Sequence, residues 1–143
     1  MQIAQLIASR PSADIVTCHP DMQLREAVAL IAQKRIGALP VVDGGQVVGI
    51  FSERDVLYRL AAEGEACLSR SVGEVMTAPA ISVDPSSSVL QALALMTRRR
   101  IRHLPVVDGT AMCGFISIGD LVKSRIDEIE SEAEAMREYI SMA

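Results

Sequence analysis

The chain has 143 residues, half of them hydrophobic, with a formal net charge of −4, two Tyr, two Phe and no Trp. That length suits one compact domain with a sizeable core, and the acidic balance and scarce aromatics argue against nucleic-acid binding by bulk charge or by base stacking. No stretch approaches the ~18–20 apolar residues of a membrane span, and the N-terminal MQIAQLIASRP lacks the basic start and long apolar run of a secretory signal, so a cytoplasmic protein without membrane contact is expected.

Residues 1–14 read as an N-terminal segment, and 15–62 as a first structural unit. Within it, 15–18 is a short apolar strand ended by His19-Pro20, a surface turn. Leu24, Ala27, Val28, Leu30 and Ile31 recur at helical spacing as far as Arg35. Residues 38–43 and 47–51 are strand-like and flank Asp43-Gly44-Gly45, a hairpin turn. Ser52 opens a second helix with Val56, Leu57, Leu60 and Ala61 on its apolar side. Residues 63–79 then read as a connection: 63–70 is small and polar enough for a linker, and 71–77 suits a short turn of helix.

The pattern then repeats over 80–125. Residues 15–57 and 80–122 align at a constant offset of 65 without a gap, with 15 of 43 pairs identical. LPVVDG recurs at 39–44 and 104–109, so strands are expected at 81–83, 103–108 and 112–116, and a helix over 89–100. Neither copy alone buries enough surface to be comfortable, so a core shared between the copies is the natural expectation. Pro40 and Pro105 lie inside strand patterns, which suits edge positions or strand starts. The last helix runs from Ile118 to about Ser141, past its repeat into an extension over 126–143. Ile126, Ile129, Ala133, Met136 and Ile140 trace one apolar stripe on it, which must pack on the N-terminal segment or, by preference, on a second subunit.

Ser52-x-x-Asp55 and Ser117-x-x-Asp120 each follow a strand and open a helix. As capping boxes, the Ser would accept a backbone N–H and the acid would reach back to the cap. As a ligand corner, Ser and the free helix amides would bind phosphate, and Asp would accept two hydrogen bonds from a vicinal diol. A ribose 5′-phosphate offers both groups. The two readings are compatible. Gly49 and Gly114 precede the corners and remove a side chain where something approaches the backbone. Arg98, Arg99, Arg100, Arg102 and His103 form the one basic cluster. Arg98 and Arg99 suit a helix end, while Arg102 and His103 lie beyond it and are candidates for phosphate. Their counterparts Gly37 and Ala38 carry no charge, so two sites built this way should differ in polyphosphate affinity. Arg35 and Arg100 do match and could each simply terminate a helix. Cys18, Cys67 and Cys113 show no metal-ligand spacing, and Cys18 and Cys113 fit small buried hydrophobes. No catalytic triad, paired-carboxylate, P-loop or dinucleotide-binding motif can be assembled, so catalysis is not expected.

The segments Arg35-Ile36-Gly37-Ala38-Leu39-Pro40-Val41-Val42-Asp43 and Arg102-His103-Leu104-Pro105-Val106-Val107-Asp108, with the two Gly-x-x-Ser-x-x-Asp corners, resemble a cystathionine-β-synthase (CBS) domain pair over about residues 5–125. The resemblance implies an α/β (α+β) fold of tandem β-α-β-β-α repeats packed about a pseudo-twofold axis, with a C-terminal helical extension. It implies two clefts for an adenosine-containing ligand such as AMP, ADP, ATP, NAD(H) or S-adenosylmethionine, with no catalytic cofactor. By position, Ser52, Ser117, Arg102 and His103 would touch phosphate, Asp55 and Asp120 the ribose, and Ile15, Thr17 and Ile81 the base. It further implies a homodimer that signals to an effector protein. The alternative is a ligand-free scaffold that uses the C-terminal helix for assembly.

Overall fold

The computed structural model describes residues 1–11 and 14–142. Each copy is a β-hairpin between two helices. In the first, α2 (Leu24–Lys34) leads into β1 (Ala38–Asp43) and β2 (Gln46–Ser52), and α3 (Glu53–Glu63) follows. In the second, α5 (Val89–Arg99) leads into β3 (His103–Asp108) and β4 (Ala111–Ser117), and α6 (Ile118–Met142) follows. A short helix precedes each copy, α1 (Ile3–Ile7) and α4 (Val72–Val75). Both hairpins are antiparallel in the same register. Leu39 faces Phe51 as Leu104 faces Ile116, and each ladder shifts at the same place, after Val41 and after Val106.

The strands expected at 15–18 and 81–83 are reduced to one parallel bridge each. Cys18 donates its N–H to the Pro40 carbonyl (3.1 Å) and accepts from the Val42 N–H (2.8 Å); Val83 does the same with Pro105 (3.0 Å) and Val107 (2.9 Å). The next rung towards the N-terminus would need an N–H from Pro40 or Pro105, and proline has none. The same proline therefore marks the hairpin strand and stops the ladder beside it.

The hydrophobic interior is two clusters rather than one shared core. The first gathers Leu24, Leu39, Val41, Phe51 and Cys67 with Val72 and Val75 of α4; the second gathers Val89, Met96, Leu104, Val106, Ile116 and Leu121 with Ile3 of α1. The two short helices are themselves related, at an offset of 69. Ile3 donates to the Ser87 carbonyl (2.9 Å) as Val72 donates to Met22 (2.8 Å), and Ala4 to Pro85 (2.9 Å) as Gly73 to Pro20 (2.8 Å). Each copy is thus completed by the short helix that leads the other one in, and this exchange joins the copies. Residues 63–70, expected as a linker, end α3 and form a 3₁₀ helix (Gly64–Ser69) whose Cys67 is fully buried in the first core.

The exchange also explains Gly49 and Gly114. A β-carbon on Gly49 would stand 2.6 Å from the Met76 sulfur and 2.9 Å from the Thr77 carbonyl oxygen; on Gly114 it would stand 2.9 Å from Ile7 Cγ2. What approaches the backbone is the chain leaving α4 at Gly49 and the last side chain of α1 at Gly114. Cys18 is buried, which pushes its thiol up to about 11 and leaves it an inert core group. Among the described residues no helix is long and apolar enough to cross a membrane.

Candidate functional site

Both Ser-x-x-Asp corners form the capping box. Ser52 is extended (φ −124°, ψ 162°) at the start of α3, and its hydroxyl accepts from the Asp55 N–H (3.3 Å). Asp55 Oδ2 accepts from the Ser52 N–H (2.9 Å) and hydroxyl (3.1 Å). At α6, Ser117 N–H donates to Asp120 Oδ2 (2.9 Å) and Asp120 N–H to the Ser117 hydroxyl (3.2 Å). The caps use one carboxylate oxygen of each acid and leave the other, Oδ1, facing a cleft.

The first cleft, of about 450 Å³, is lined by Ser52, Asp55, Ile81, Arg102 and His103, together with Arg54, Tyr58, Thr77, Arg99 and Arg100. The second, of about 640 Å³, is lined by Ser117, Asp120, Ile15 and His103, together with Arg10, Asp14, Arg35 and Phe115. Each cleft is built across the copies: the corner comes from one, and the isoleucine that faces it comes from the segment before the other copy's hairpin. Thr17 is exposed and lines neither cleft. It sits in an extended segment between Val16 and the inward-facing Cys18, and that alternation turns it to solvent.

Arg102 reaches only the first cleft, whereas His103 lies between the two and lines both. The His103 ring stacks on Phe115 (centroids 5.7 Å apart, 13° between planes), and its edge covers Gly37, where a β-carbon would meet His103 Cε1 at 3.2 Å. Burial holds the His103 imidazole below its ordinary value; Glu53 and Asp120 oppose that shift and Arg102 adds to it. At neutral pH His103 is therefore a neutral donor or acceptor and not a second cation beside Arg102.

Several residues of the clefts carry no mark in the repeat. Thr77 donates its hydroxyl to Asp55 Oδ1 (3.0 Å), and in the second cleft Arg10 Nη2 takes the same place at Asp120 Oδ1 (3.0 Å). Burial raises the Asp120 carboxyl, but the bond from Arg10 and the Ser117 amide outweigh it and hold the group below the usual carboxylate range. Arg10 and Thr77 lie on the connections that follow α1 and α4, which differ in length by four residues, so no offset aligns them. Arg35 and Arg100 are legible, because both copies keep them. Each ends its helix in the left-handed region, at φ 53° and 55°, a conformation that costs a side-chain-bearing residue about 1–2 kcal/mol. A glycine would relieve that strain, yet each cleft keeps an arginine there. Arg54 also reaches across the copies, donating to the Arg100 carbonyl (3.2 Å).

A family profile described as "CBS domain" matches residues 4–62 and 72–127. The CBS domain-containing protein YhcV of Bacillus subtilis is 33% identical over 125 residues, covering 87% of this chain and 88% of YhcV. The mitochondrial CBS domain-containing protein CBSX3 of Arabidopsis thaliana is 38% identical over 128 residues, and the match spans 86% of this chain but 62% of that longer protein. The crystal structure of a CBS-domain-containing protein from Agrobacterium tumefaciens superposes with a TM-score of 0.82 at 37% identity, covering 87% of this chain and 99% of that one. The CBS domain pair of MJ0100, solved in complex with 5′-methylthioadenosine and S-adenosylmethionine, has the same fold at a TM-score of 0.77 and 23% identity, covering 90% of this chain and 98% of that one. The duplicated hairpins, the capped corners and these matches agree: the chain belongs to the CBS-domain family, as a tandem pair with a C-terminal helix.

Proposed function

We propose that this chain is a non-catalytic regulatory module that binds adenosine-containing ligands in its two clefts and signals to an effector protein through a homodimer. The observation that carries the reading is the construction of the clefts. Each sets a Ser-x-x-Asp corner at a helix start against an isoleucine from the other copy. In this reading the Ser52 and Ser117 hydroxyls and the free α3 and α6 amides hold phosphate, Asp55 and Asp120 take the ribose diol, and Ile81 and Ile15 flank the base. Arg100 and Arg102 supply further phosphate contacts in the first cleft, Arg35 in the second. His103, neutral, donates to or accepts from whichever ligand is present. A ligand that spans a cleft touches both copies, so it favours one relative arrangement of them by its differential affinity. The bound adenosine derivatives of MJ0100, a protein of the same fold, support the ligand class.

Thermal unfolding against AMP, ADP, ATP, NAD, NADH and S-adenosylmethionine tests the reading. A ligand at ~100 times its dissociation constant adds about 2.7 kcal/mol, and the expected result is a shift of a few degrees for a subset of the panel, lost in an Asp55→Ala/Asp120→Ala double variant. No shift across the panel moves the reading to its alternative, a ligand-free scaffold. The exposed face of α6 favours that alternative.

A further inference from the structure

Among the described residues, nothing of its own chain covers the C-terminal half of α6. Leu121 joins the start of the helix to the second core and buried Ser124 donates to the Met1 sulfur (3.0 Å), but from Ile129 to Met142 every residue is exposed, with Met136 at 59% and Ile140 at 65%. At 1.5 Å per residue this arm projects about 20 Å. A free helix of that length is marginal in water, so its stability calls for a partner.

The spacing on the arm names the partner's geometry. Val122, Ile126, Ile129, Ala133, Met136 and Ile140 succeed one another by 4, 3, 4, 3 and 4 residues, which is the alternation of d and a positions in a heptad. Asp127, Glu128, Glu134 and Glu138 then fall on the outer positions. Arg125 and Glu132 fall at g, and Glu130 and Arg137 at e. In a parallel, in-register pair each g residue faces the e residue five places on in the other helix. Arg125 meets Glu130 of the partner subunit and Glu132 meets Arg137 of the partner subunit, and by symmetry each pair occurs twice. The antiparallel alignment that pairs the whole of 122–140 (Ala133 on Ile129, Met136 on Ile126) brings like charges together: Lys123 against Arg137, Glu130 against Glu130, and Glu132 against Glu132. Antiparallel alignments shifted by a heptad regain opposite charges but leave about seven residues of the stripe unpaired. Within the single chain Arg125 lies 3.3 Å from Glu128, a partly exposed pair that is cheap to exchange.

We propose that the segment 122–140 forms a parallel, in-register two-helix coiled coil with a second copy of this chain. This rests on the homodimer reading above and fixes its orientation. The twofold axis then runs along α6, and one continuous helix links Ser117 and Asp120 of the second cleft to the seam of the dimer.

The test uses the full chain with Cys113→Ser, in which the remaining cysteines, Cys18 and Cys67, are buried. Light scattering measures the oligomer, and oxidation of Met136→Cys and Ile126→Cys reads its orientation on non-reducing gels. Both substituted positions are exposed, so the fold is unaffected. The proposal expects a dimer in which Met136→Cys links to itself, because d faces d across a parallel seam. A monomer overturns the homodimer reading itself. A dimer that links only when the two variants are mixed is antiparallel and overturns the orientation, and a dimer that links in neither case overturns the coiled coil. Charge gives a second readout: Glu132→Arg should weaken dimerisation several-fold, and adding Arg137→Glu should restore it.

Discussion

The two clefts share one corner and differ in what surrounds it. In both, Ser and Asp cap a helix with the same two backbone hydrogen bonds to within about 0.1 Å. Around Asp55 the outer carboxylate oxygen accepts from the neutral Thr77, and the described lining brings Arg54, Arg99, Arg100 and Arg102 against Glu53 and Asp55. Around Asp120 that oxygen is held by Arg10, and the described lining brings Arg10 and Arg35 against Asp14 and Asp120. Duplication supplied the shape of both sites, and divergence outside the motif set their charge. In the proposed function, the first cleft therefore suits a polyphosphate and the second a ligand of lower charge.

The largest effect expected is from removing the acids one at a time. A carboxylate that takes two ribose hydroxyls makes charge-assisted bonds, so Asp55→Ala should weaken the first cleft and Asp120→Ala the second by about 10- to 100-fold. Calorimetric titration would show one binding event lost in each variant and the other kept. The lost cap costs about 1 kcal/mol of stability in either case. If Asp55→Ala leaves both events intact, the ribose assignment fails.

Gly49→Ala and Gly114→Ala compare the copies by packing. The new methyl at 49 meets the Thr77 backbone oxygen, which cannot move aside, whereas at 114 it meets the side chain of Ile7. Overpacking of this kind costs about 1–3 kcal/mol, and Gly49→Ala should lie at the upper end and Gly114→Ala at the lower. Melting temperatures would rank them. An equal loss would mean that the connection after α4 yields as readily as the α1 side chain does.

Arg10→Ala should have a smaller and opposite consequence for binding. The Arg10–Asp120 pair is partly exposed and contributes about 0.2–1 kcal/mol, but it occupies an oxygen that the proposed ribose needs. Freed of Arg10, the second cleft should bind uncharged adenosine up to about 5-fold more tightly, with the first cleft unchanged. Tighter binding in neither cleft would show that Arg10 does not compete.

These contrasts also mark how far the sequence was legible. The repeat located both hairpins and both corners, because a constant offset keeps equivalent residues in equivalent places, whereas Ile15 and Ile81, 66 residues apart, were named by the family resemblance. At 15–18 and 81–83 a short apolar run signalled a strand, and one missing proline N–H limited it to a bridge. The shared core was misjudged because the exchange of α1 and α4 runs at offset 69, and composition carries no trace of which core a short helix joins. Arg10 and Thr77 escaped for the same reason, since their connections differ in length. His103 was legible as a cleft residue, but its burial against Phe115 and Gly37, which sets its charge, needs tertiary structure.

That burial leads to the smallest effect and the one that joins the clefts. The folded state holds His103 below the 6.5 of an exposed histidine, so between those two values the unfolded chain binds a proton that the folded chain does not. Stability is then fully present above about pH 6.5 and declines as pH falls towards the folded value. Asp120 acts in a separate and lower window, because its folded-state carboxyl lies below the ordinary 3.8. His103→Phe keeps an aromatic ring beside Phe115 and removes the titrating group, so it should flatten the stability profile between pH 7 and pH 5.5, read by denaturant unfolding at each pH. His19, the other histidine, is exposed, and His19→Gln serves as the control. In the proposed function, protonating His103 adds a cation where both clefts meet, so nucleotide affinity should rise in each as pH falls through the same window. A rise confined to the first cleft would show that the ring serves only the side it shares with Arg102.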